Sequence, residues 1–324
     1  MTNEMRAIKI LGPSTSPTPA LTTHPIPTPT DNQVLIRVHA AGLTADEVTW
    51  PELYHLASRI PGHDISGVVA SLSPTYTGPL KVGSQVYAML DANGGEGQAE
   101  YVLASPDEVA LKPRTLSHAE ASALPIPAVT AYEGLLKHAG LEEGMRVLVT
   151  GASGAVGVVV VQLAKILRGA EVVGLASAEK AEFLRGLGVN EVVDYREERW
   201  EGSVGTVDVV FDTVGGDVLK RAWALVKSGG IVVTVGPPAE WAYNDKVVPE
   251  EATTYPGVRY KYFIVSPDRE ALGKIAAWID EGRLKTGPVV EFPVERGVEA
   301  WGFAGRRGRS GKTVINFVTE EQKA

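Results

Sequence analysis

The stretch that most constrains the fold is residues 147–157, which read VLVTGASGAVG and are followed by a second apolar run, residues 158–167. The first four residues are mostly branched and apolar, as in a buried parallel strand. A glycine turn and an apolar helix are predicted to follow. Strand, glycine turn and helix form the first half of a βαβ dinucleotide site, in which the pyrophosphate lies on the free N–H groups and positive end of the helix.

Small residues in this turn have a physical purpose. A side chain at Gly154 would push the phosphates off the backbone, and one at Gly157 would lift the helix off its strand. The G-x-G-x-x-G pattern is imperfect because Ala152 replaces its first glycine. A glycine-rich turn of any α/β protein would give a similar pattern.

The end of the second predicted strand, residues 171–176, bears on the choice of cofactor. NAD-binding proteins place an acid there, roughly 20 residues after the glycines, for the ribose 2′-hydroxyl. Here the strand is followed by the small Ser177, and Lys180 comes shortly after. With no carboxylate expected at the tip, the sequence favours NADPH over NADH. Glu179 weakens that charge argument, and Lys180 could instead be an ordinary solvated lysine.

Composition limits the remaining possibilities. The 324 residues suffice for two domains, and 44% hydrophobic with 22% charged residues is typical of globular proteins. The net charge of −8 gives no indication of nucleic-acid or anionic-membrane binding. The chain has no cysteine. It also has no apolar stretch of membrane-spanning length and no signal-peptide pattern at its start, so we expect a cytoplasmic protein.

The first third of the chain predicts short strands. Residues 5–10 alternate like a strand, and another strand is predicted at residues 34–39. Residues 11–30 are crowded with Pro, Thr and Ser and are predicted to be an irregular surface connection. Further strands at residues 66–70, 82–87 and 99–103 predict a small antiparallel barrel.

From residue 119 the pattern becomes helical, and after residue 146 strands alternate with helices. Strands are predicted at residues 207–211, 231–235 and 260–265, so residues 126–265 are expected to form a parallel α/β sheet. A helix around residues 270–280 and further strands are expected to return to the first domain. The predicted domains are residues 1–125, 126–265 and 266–324, the first and last belonging together.

Eight motifs give the sequence a family resemblance. They run in order over nearly the whole chain, at residues 40–43, 60–69, 81–87, 124–132, 149–157, 212–216, 263–265 and 311–315. The chain resembles the zinc-independent medium-chain dehydrogenase/reductases of the quinone oxidoreductase (zeta-crystallin-like) branch. The resemblance implies an α/β protein with a GroES-like β-barrel domain split around an inserted Rossmann-fold domain. It also implies a homodimer, in which the edge strand at residues 260–265 pairs across a two-fold axis.

Carried over position by position, the resemblance implies a set of NADPH contacts. The glycine turn and helix start would hold the pyrophosphate through Ala152, Ser153, Gly154, Ala155, Val156 and Gly157. The 2′-phosphate and adenosine would meet Ser177, Lys180, Tyr195 and Arg307, although Arg307 could equally belong to a solvated basic segment. The nicotinamide half would meet Thr130, Val235, Gly236, Phe263 and Val265.

A catalytic zinc is not expected. The zinc-dependent branch uses a cysteine, the histidine of a Gly-His-Glu and a further Cys or His. Here Leu43 and Thr44 occupy the cysteine region, and only His63 survives. With one of three ligands and no thiolate, the usual site cannot be assembled.

Without a Lewis acid, acceptors that delocalise the developing charge suit the chain best, namely quinones and α,β-unsaturated carbonyls. Hydride would go to the β-carbon or quinone ring, and the oxygen needs only a hydrogen-bond donor. The candidate catalytic residues are Thr44, Tyr54 and His63; the family often has asparagine where this chain has Thr44 and aspartate where it has Glu47. Two alternatives stay open, an enoyl reductase of polyketide-type metabolism and a low-turnover NADPH-binding sensor or structural protein.

Overall fold

The structure is a computed structural model that describes residues 4–12, 16–49, 59–237, 240–242, 244, 247–306, 308 and 311–318. The chain forms two compact units. The first comprises Met1–Val129, Ser266–Gly282 and Thr286–Ala324, and the second comprises Thr130–Val265 and Arg283–Lys285. In the part of the chain described, no helix is both long and apolar enough to cross a bilayer.

The first part of the chain is built from short strands followed by two helices. The strands are β1 Glu4–Leu11, β2 Thr18–Pro25, β3 Val34–Gly42, β4 Asp64–Leu72, β5 Gln85–Met89, β6 Tyr101–Ala104 and β7 Val109–Leu111. The helices are α1 His118–Ser122 and α2 Pro125–Glu133, the latter continued by a π-helical turn, Gly134–His138.

The proline-rich segment contains a strand, so the predicted irregular connection at residues 11–30 was wrong. Strand β2 pairs antiparallel with β1 over its full length, with Pro19 opposite Ile10 and Pro25 opposite Glu4. These two strands form a separate two-stranded sheet. A strand with a partner on one side only can carry prolines, because a missing N–H on its open side removes no ladder hydrogen bond.

The second unit alternates strands with helices, as the sequence predicts. Its elements are β8 Arg146–Thr150, α3 Ala155–Arg168, β9 Glu171–Ala176, α4 Ala181–Gly186, β10 Glu191–Asp194, α5 Glu201–Val204, β11 Val207–Asp212, α6 Gly216–Ala222, β12 Val226–Thr234, α7 Glu250–Thr254 and β13 Arg259–Tyr262. All strand pairs are parallel, in the order β10-β9-β8-β11-β12-β13. This is the doubly wound order, with its reversal between β8 and β11.

The last part of the chain returns to the first unit. It contributes α8 Arg269–Asp280, β14 Val289–Pro293, α9 Gly297–Ala304 and β15 Lys312–Asn316. The sheet order is β14-β15-β3-β4-β5-β7, with β6 also paired to β3. A buried ion pair between Lys312 and Asp64 joins β15 to β4, and the other Asp64 oxygen accepts the N–H of Ile126 at 2.6 Å. The returning segment is therefore part of the core of this sheet.

Helix α3 packs closely against the glycine turn that precedes it. Residues 157–164 are all buried, in keeping with their apolar sequence. A Cβ added to Gly157 would collide with the carbonyl oxygen of Gly151 and with the backbone of Ala152. Glycine at position 157 therefore sets the distance between the helix and the turn before it, as the sequence predicts.

Replacing Gly157 by alanine should destabilise the second unit by about 1–3 kcal/mol, since backbone atoms must move to make room. Urea unfolding followed by circular dichroism measures the change. Gly186→Ala in helix α4 is the matched control, because a Cβ there meets no atom within 4 Å. The control should be neutral or slightly stabilising. Equal unfolding midpoints for the two variants would contradict the packing argument.

Candidate active site

The glycine turn after β8 presents the start of helix α3 without competing groups. Gly151 has φ +61°, in the left-handed region that favours glycine, and a Cβ there would collide with the Thr213 hydroxyl. Gly154 precedes the helix, no side chain in the described part of the chain caps it, and the first turn contains no acidic residue. The N–H groups of that first turn can therefore receive an anion. This arrangement fits the pyrophosphate of a dinucleotide.

The six residues predicted to hold the pyrophosphate have different environments. Gly154 and Ala155 are exposed, Ser153 and Val156 are half-buried, and Ala152 and Gly157 are buried. The N–H of Ala152 donates to the carbonyl of Leu175 at 3.1 Å, so it is already engaged. Ala152 therefore anchors the turn to β9, and the accessible part of the predicted site runs from Ser153 to Val156.

The residues predicted to meet the adenosine end come together at the ends of β9 and β10. Asp194 lies opposite Ala176 in the sheet register, so Ser177 and Tyr195 follow neighbouring positions. The N–H of Tyr195 donates to the carbonyl of Ala176 at 3.3 Å, and the Tyr195 side chain is 50% exposed. Lys180 ends the short 3₁₀ helix that begins after Ser177. The structure thus brings Ser177, Lys180 and Tyr195 to one edge.

Two carboxylates also lie at this edge, Glu179, which the sequence analysis names, and Asp194 at the end of the neighbouring strand β10. Asp194, from the next strand, accepts the N–H of Ala178 at 3.0 Å, and Glu179 lies one residue further on. Arg196 bonds to Asp194 at 2.6 Å and to Glu179 at 3.0 Å. Hydrogen bonds from Arg196 lower the pKa of both carboxyl groups. Sequence reasoning missed Arg196; the only signal was its place two residues after an acid at a strand end.

The residues predicted for the nicotinamide half lie mostly at the neighbouring ends of β12 and β13. Val235 is half-buried and donates its N–H to the carbonyl of Asp212 at 3.0 Å, and Gly236 is buried. Phe263 is 6% exposed, with its ring 4.3 Å from that of His138, and Val265 is half-buried. Thr130 is buried in helix α2. The predicted strand at residues 260–265 is shorter than expected, because it ends at Tyr262.

Among the predicted catalytic residues, Thr44 and His63 differ sharply in exposure. Thr44 follows β3 and is half-buried, and the carbonyl of Thr44 accepts the N–H of Glu47 at 3.1 Å. His63 is 2% exposed, its Nδ1 is 2.8 Å from Glu47 Oε1, and its Nε2 is 3.4 Å from the Ala92 carbonyl. The same Glu47 oxygen accepts the N–H of Gly62. This geometry favours a positioning role for His63, as a satisfied buried imidazole.

Tyr54 and Arg307 lie outside the described residues. Within the ranges that are described, no three His, Asp or Glu side chains are grouped to hold a metal ion. The zinc-free site therefore stays a prediction, based on the absence of cysteine from the chain.

Comparison with known proteins identifies the class and then the family. The sequence matches the alcohol dehydrogenase GroES-like domain over residues 30–114 and the zinc-binding dehydrogenase family over residues 187–315. It is 34% identical over 307 residues to the 2-methylene-furan-3-one reductase of Solanum lycopersicum, covering 90% of this chain and 73% of that protein. The NADPH-dependent alkenal/one oxidoreductase, chloroplastic, of Arabidopsis thaliana is 33% identical over 306 residues, with the same coverage.

A solved structure is similar to this chain over nearly its whole length. The quinone oxidoreductase from Coxiella burnetii superimposes with a TM-score of 0.85 at 29% identity, covering 97% of this chain and all of that one. Fold and site thus define a nicotinamide-dependent oxidoreductase. The chain belongs to the medium-chain dehydrogenase/reductase family, and the predicted fold class, a GroES-like domain split around a Rossmann-fold domain, is confirmed.

The Glu47–His63 pair should make stability depend on pH. Burial opposes protonation of His63, but the charge and hydrogen bond of Glu47 outweigh burial and raise the pKa of His63. A raised folded-state pKa contributes stability that is fully present below the unfolded value, about 6.5, and is lost as pH rises through the folded value. We therefore expect the free energy of unfolding to fall with rising pH above about pH 6.5.

Urea unfolding between pH 5.5 and pH 9 measures this slope. The double variant Glu47→Gln/His63→Gln keeps two polar side chains of similar size but removes the imidazole and its carboxylate partner. Its slope should be flatter than that of the wild type over the same window. Parallel curves would show that His63 does not change its protonation between the folded and unfolded states.

Proposed function

We propose that the protein is an NADPH-dependent reductase of quinones and α,β-unsaturated carbonyls. The observation that carries the proposal is the uncapped, acid-free start of helix α3, next to the point where the strand order reverses. In doubly wound sheets a dinucleotide lies across that point. The acceptors named for the three similar proteins, a methylene-furanone, alkenals or enones, and quinones, all have a carbonyl conjugated to a carbon–carbon double bond.

The preference for NADPH rests on charge at the ends of β9 and β10. Asp194 and Glu179 would repel a 2′-phosphate, but both are bonded to Arg196. Lys180 adds a further positive charge at the same edge. A 2′-phosphate would therefore meet Lys180, beside an Arg196 guanidinium and a Ser177 hydroxyl that are both already bonded to Glu179. One similar protein is named as NADPH-dependent.

The proposed reaction requires few chemical groups from the chain itself. When bound, a reduced nicotinamide supplies the hydride. A conjugated acceptor spreads the resulting charge onto its oxygen, which then needs one hydrogen-bond donor rather than a Lewis acid. The half-buried Thr44 hydroxyl is our candidate donor, with Tyr54 as the second candidate. His63 and Glu47 would hold the segment that carries Thr44, because Glu47 donates its N–H to the Thr44 carbonyl.

The purified protein should oxidise NADPH in the presence of quinones or enones and leave saturated aldehydes unreduced. Lys180→Ala should raise the KM for NADPH by about threefold to thirtyfold at low salt and leave the KM for NADH unchanged, since one charged contact is lost. The decrease in absorbance at 340 nm gives the rates of NADPH and NADH oxidation, and their dependence on cofactor concentration gives the two KM values. Lys220→Ala is the matched control, because Lys220 is an exposed lysine in the last turn of α6.

Three outcomes would contradict this proposal. Reduction of saturated aldehydes would point to another substrate class. A preference for NADH would remove the 2′-phosphate argument. Tight NADPH binding with no turnover on any acceptor would favour a tethered substrate or a non-enzymatic role.

We further propose a homodimer that pairs through β13. Within the described strands, β13 lies at the end of the sheet and pairs with β12 alone. Three of its four residues are exposed, and Ile264 just beyond it is 60% exposed. An open strand of this kind invites pairing with a second copy.

Sedimentation velocity over a range of concentrations should give twice the chain mass of 34.4 kDa. Tyr260, within the strand, is 37% exposed, and Tyr260→Asp should shift the protein towards the monomer by placing two like charges near the two-fold axis. A monomer at every concentration would rule out the dimer.

A further inference from the structure

Asp212 is a fully buried carboxylate with four hydrogen-bond donors. It is the last residue of β11 and is 0% exposed. One oxygen accepts the Thr150 hydroxyl at 2.5 Å and the N–H of Val214 at 3.3 Å. The other accepts the Thr234 hydroxyl at 2.6 Å and the N–H of Gly215 at 3.0 Å. All four contacts come from donors, so both oxygens of Asp212 act as hydrogen-bond acceptors.

The direction of every bond in this network is fixed. The Thr150 oxygen accepts the N–H of Thr213 at 3.1 Å, and the Thr234 oxygen accepts the N–H of Gly236 at 3.1 Å. Each hydroxyl thus accepts one backbone N–H and donates its single proton to Asp212. Through the two hydroxyls, the carboxylate therefore also positions the N–H groups of Thr213 and Gly236, which it does not contact directly.

These groups lie where the strand order of the sheet reverses. Thr150, Asp212 and Thr234 are the last residues of β8, β11 and β12, which are neighbours in the sheet. The turn after β8 leads to helix α3, and the turn after β12 contains Gly236. A Cβ on Gly236 would lie 2.9 Å from the Asp212 carboxylate and 2.5 Å from the N–H nitrogen of Gly215, so this turn packs directly on the network. A dinucleotide across the carboxyl edge would span both turns.

We propose that Asp212 is a positioning residue that holds the turn after β8 and the turn after β12 at the separation one dinucleotide requires. It contacts no part of the cofactor and acts through Thr150 and Thr234. This inference rests on the proposed function, because it takes a nicotinamide dinucleotide as the ligand. A residue that only stabilised the fold would affect every ligand of the unit alike.

The test compares two ligands of different length. NADPH must reach both turns, whereas 2′,5′-ADP, which ends before the nicotinamide, needs only the turn after β8 and the ends of β9 and β10. In Thr234→Val the hydroxyl is lost and the shape is kept, so Gly236 loses its acceptor. In Asp212→Asn either orientation of the amide places an NH₂ group against the N–H of Val214 or Gly215.

Both variants should bind NADPH roughly tenfold to a hundredfold more weakly and bind 2′,5′-ADP within about twofold of the wild type. Fluorescence titration of NADPH and calorimetry with 2′,5′-ADP give the two affinities. Thr234→Ser restores the hydroxyl and should recover most of the NADPH affinity. If Asp212→Asn does not fold, Thr234→Val provides the same comparison.

Equal weakening of both ligands, or unchanged NADPH affinity in a folded Thr234→Val protein, would overturn the positioning role. A wild-type protein that binds neither ligand would instead overturn the proposed function, and the role of Asp212 with it. The two failures are therefore distinguishable, since the first requires a wild type that binds NADPH.

Discussion

The contact between helix α3 and the turn before it determines how this helix packs on the sheet of the second unit. Gly157 allows the helix backbone to approach Gly151 and Ala152 more closely than any side chain would permit. The apolar residues that follow are then buried against the sheet, and burial of this kind contributes about 25 cal/mol per Å². Because the helix is fixed, the direction of its free N–H groups is fixed as well. The candidate cofactor site therefore depends first on the packing of the helix, which fixes where its polar groups point.

The first unit depends on two buried pairs at the start of β4. His63 is paired with Glu47, and the next residue, Asp64, is paired with Lys312. One oxygen of Glu47 is buried and has no hydrogen-bond partner among the residues that the structure describes. Pairs of this kind contribute little net stability, but breaking one is costly because a buried charge is left alone. They fix which segments meet here, and one of those segments carries Thr44.

Periodic features of the chain were predictable from sequence. The strand at residues 171–176 and the helix ending at Asp280 were placed well, because apolar spacing reports directly on which face is buried. Strand β2 was missed because its prolines are tolerated only through its open edge, a property of the sheet rather than of the segment. Arg196 and the His63–Glu47 pair were missed for a related reason. Glu179 reaches Arg196 through the strand register, and Glu47 reaches His63 through a loop, and local patterns encode neither contact.

The position of β15 has a consequence for synthesis of the chain. The parallel sheet is complete once β13 has left the ribosome, but β3 still lacks its neighbour β15, which is the last of the described strands. About 50 residues separate β13 from β15, so at typical translation rates the Ala40–Gly42 end of β3 stays open for roughly 3 to 10 s after the parallel sheet is complete. During that interval the nascent first unit is a substrate for chaperones and for wrong pairing, although the inserted unit behind it can already be folded.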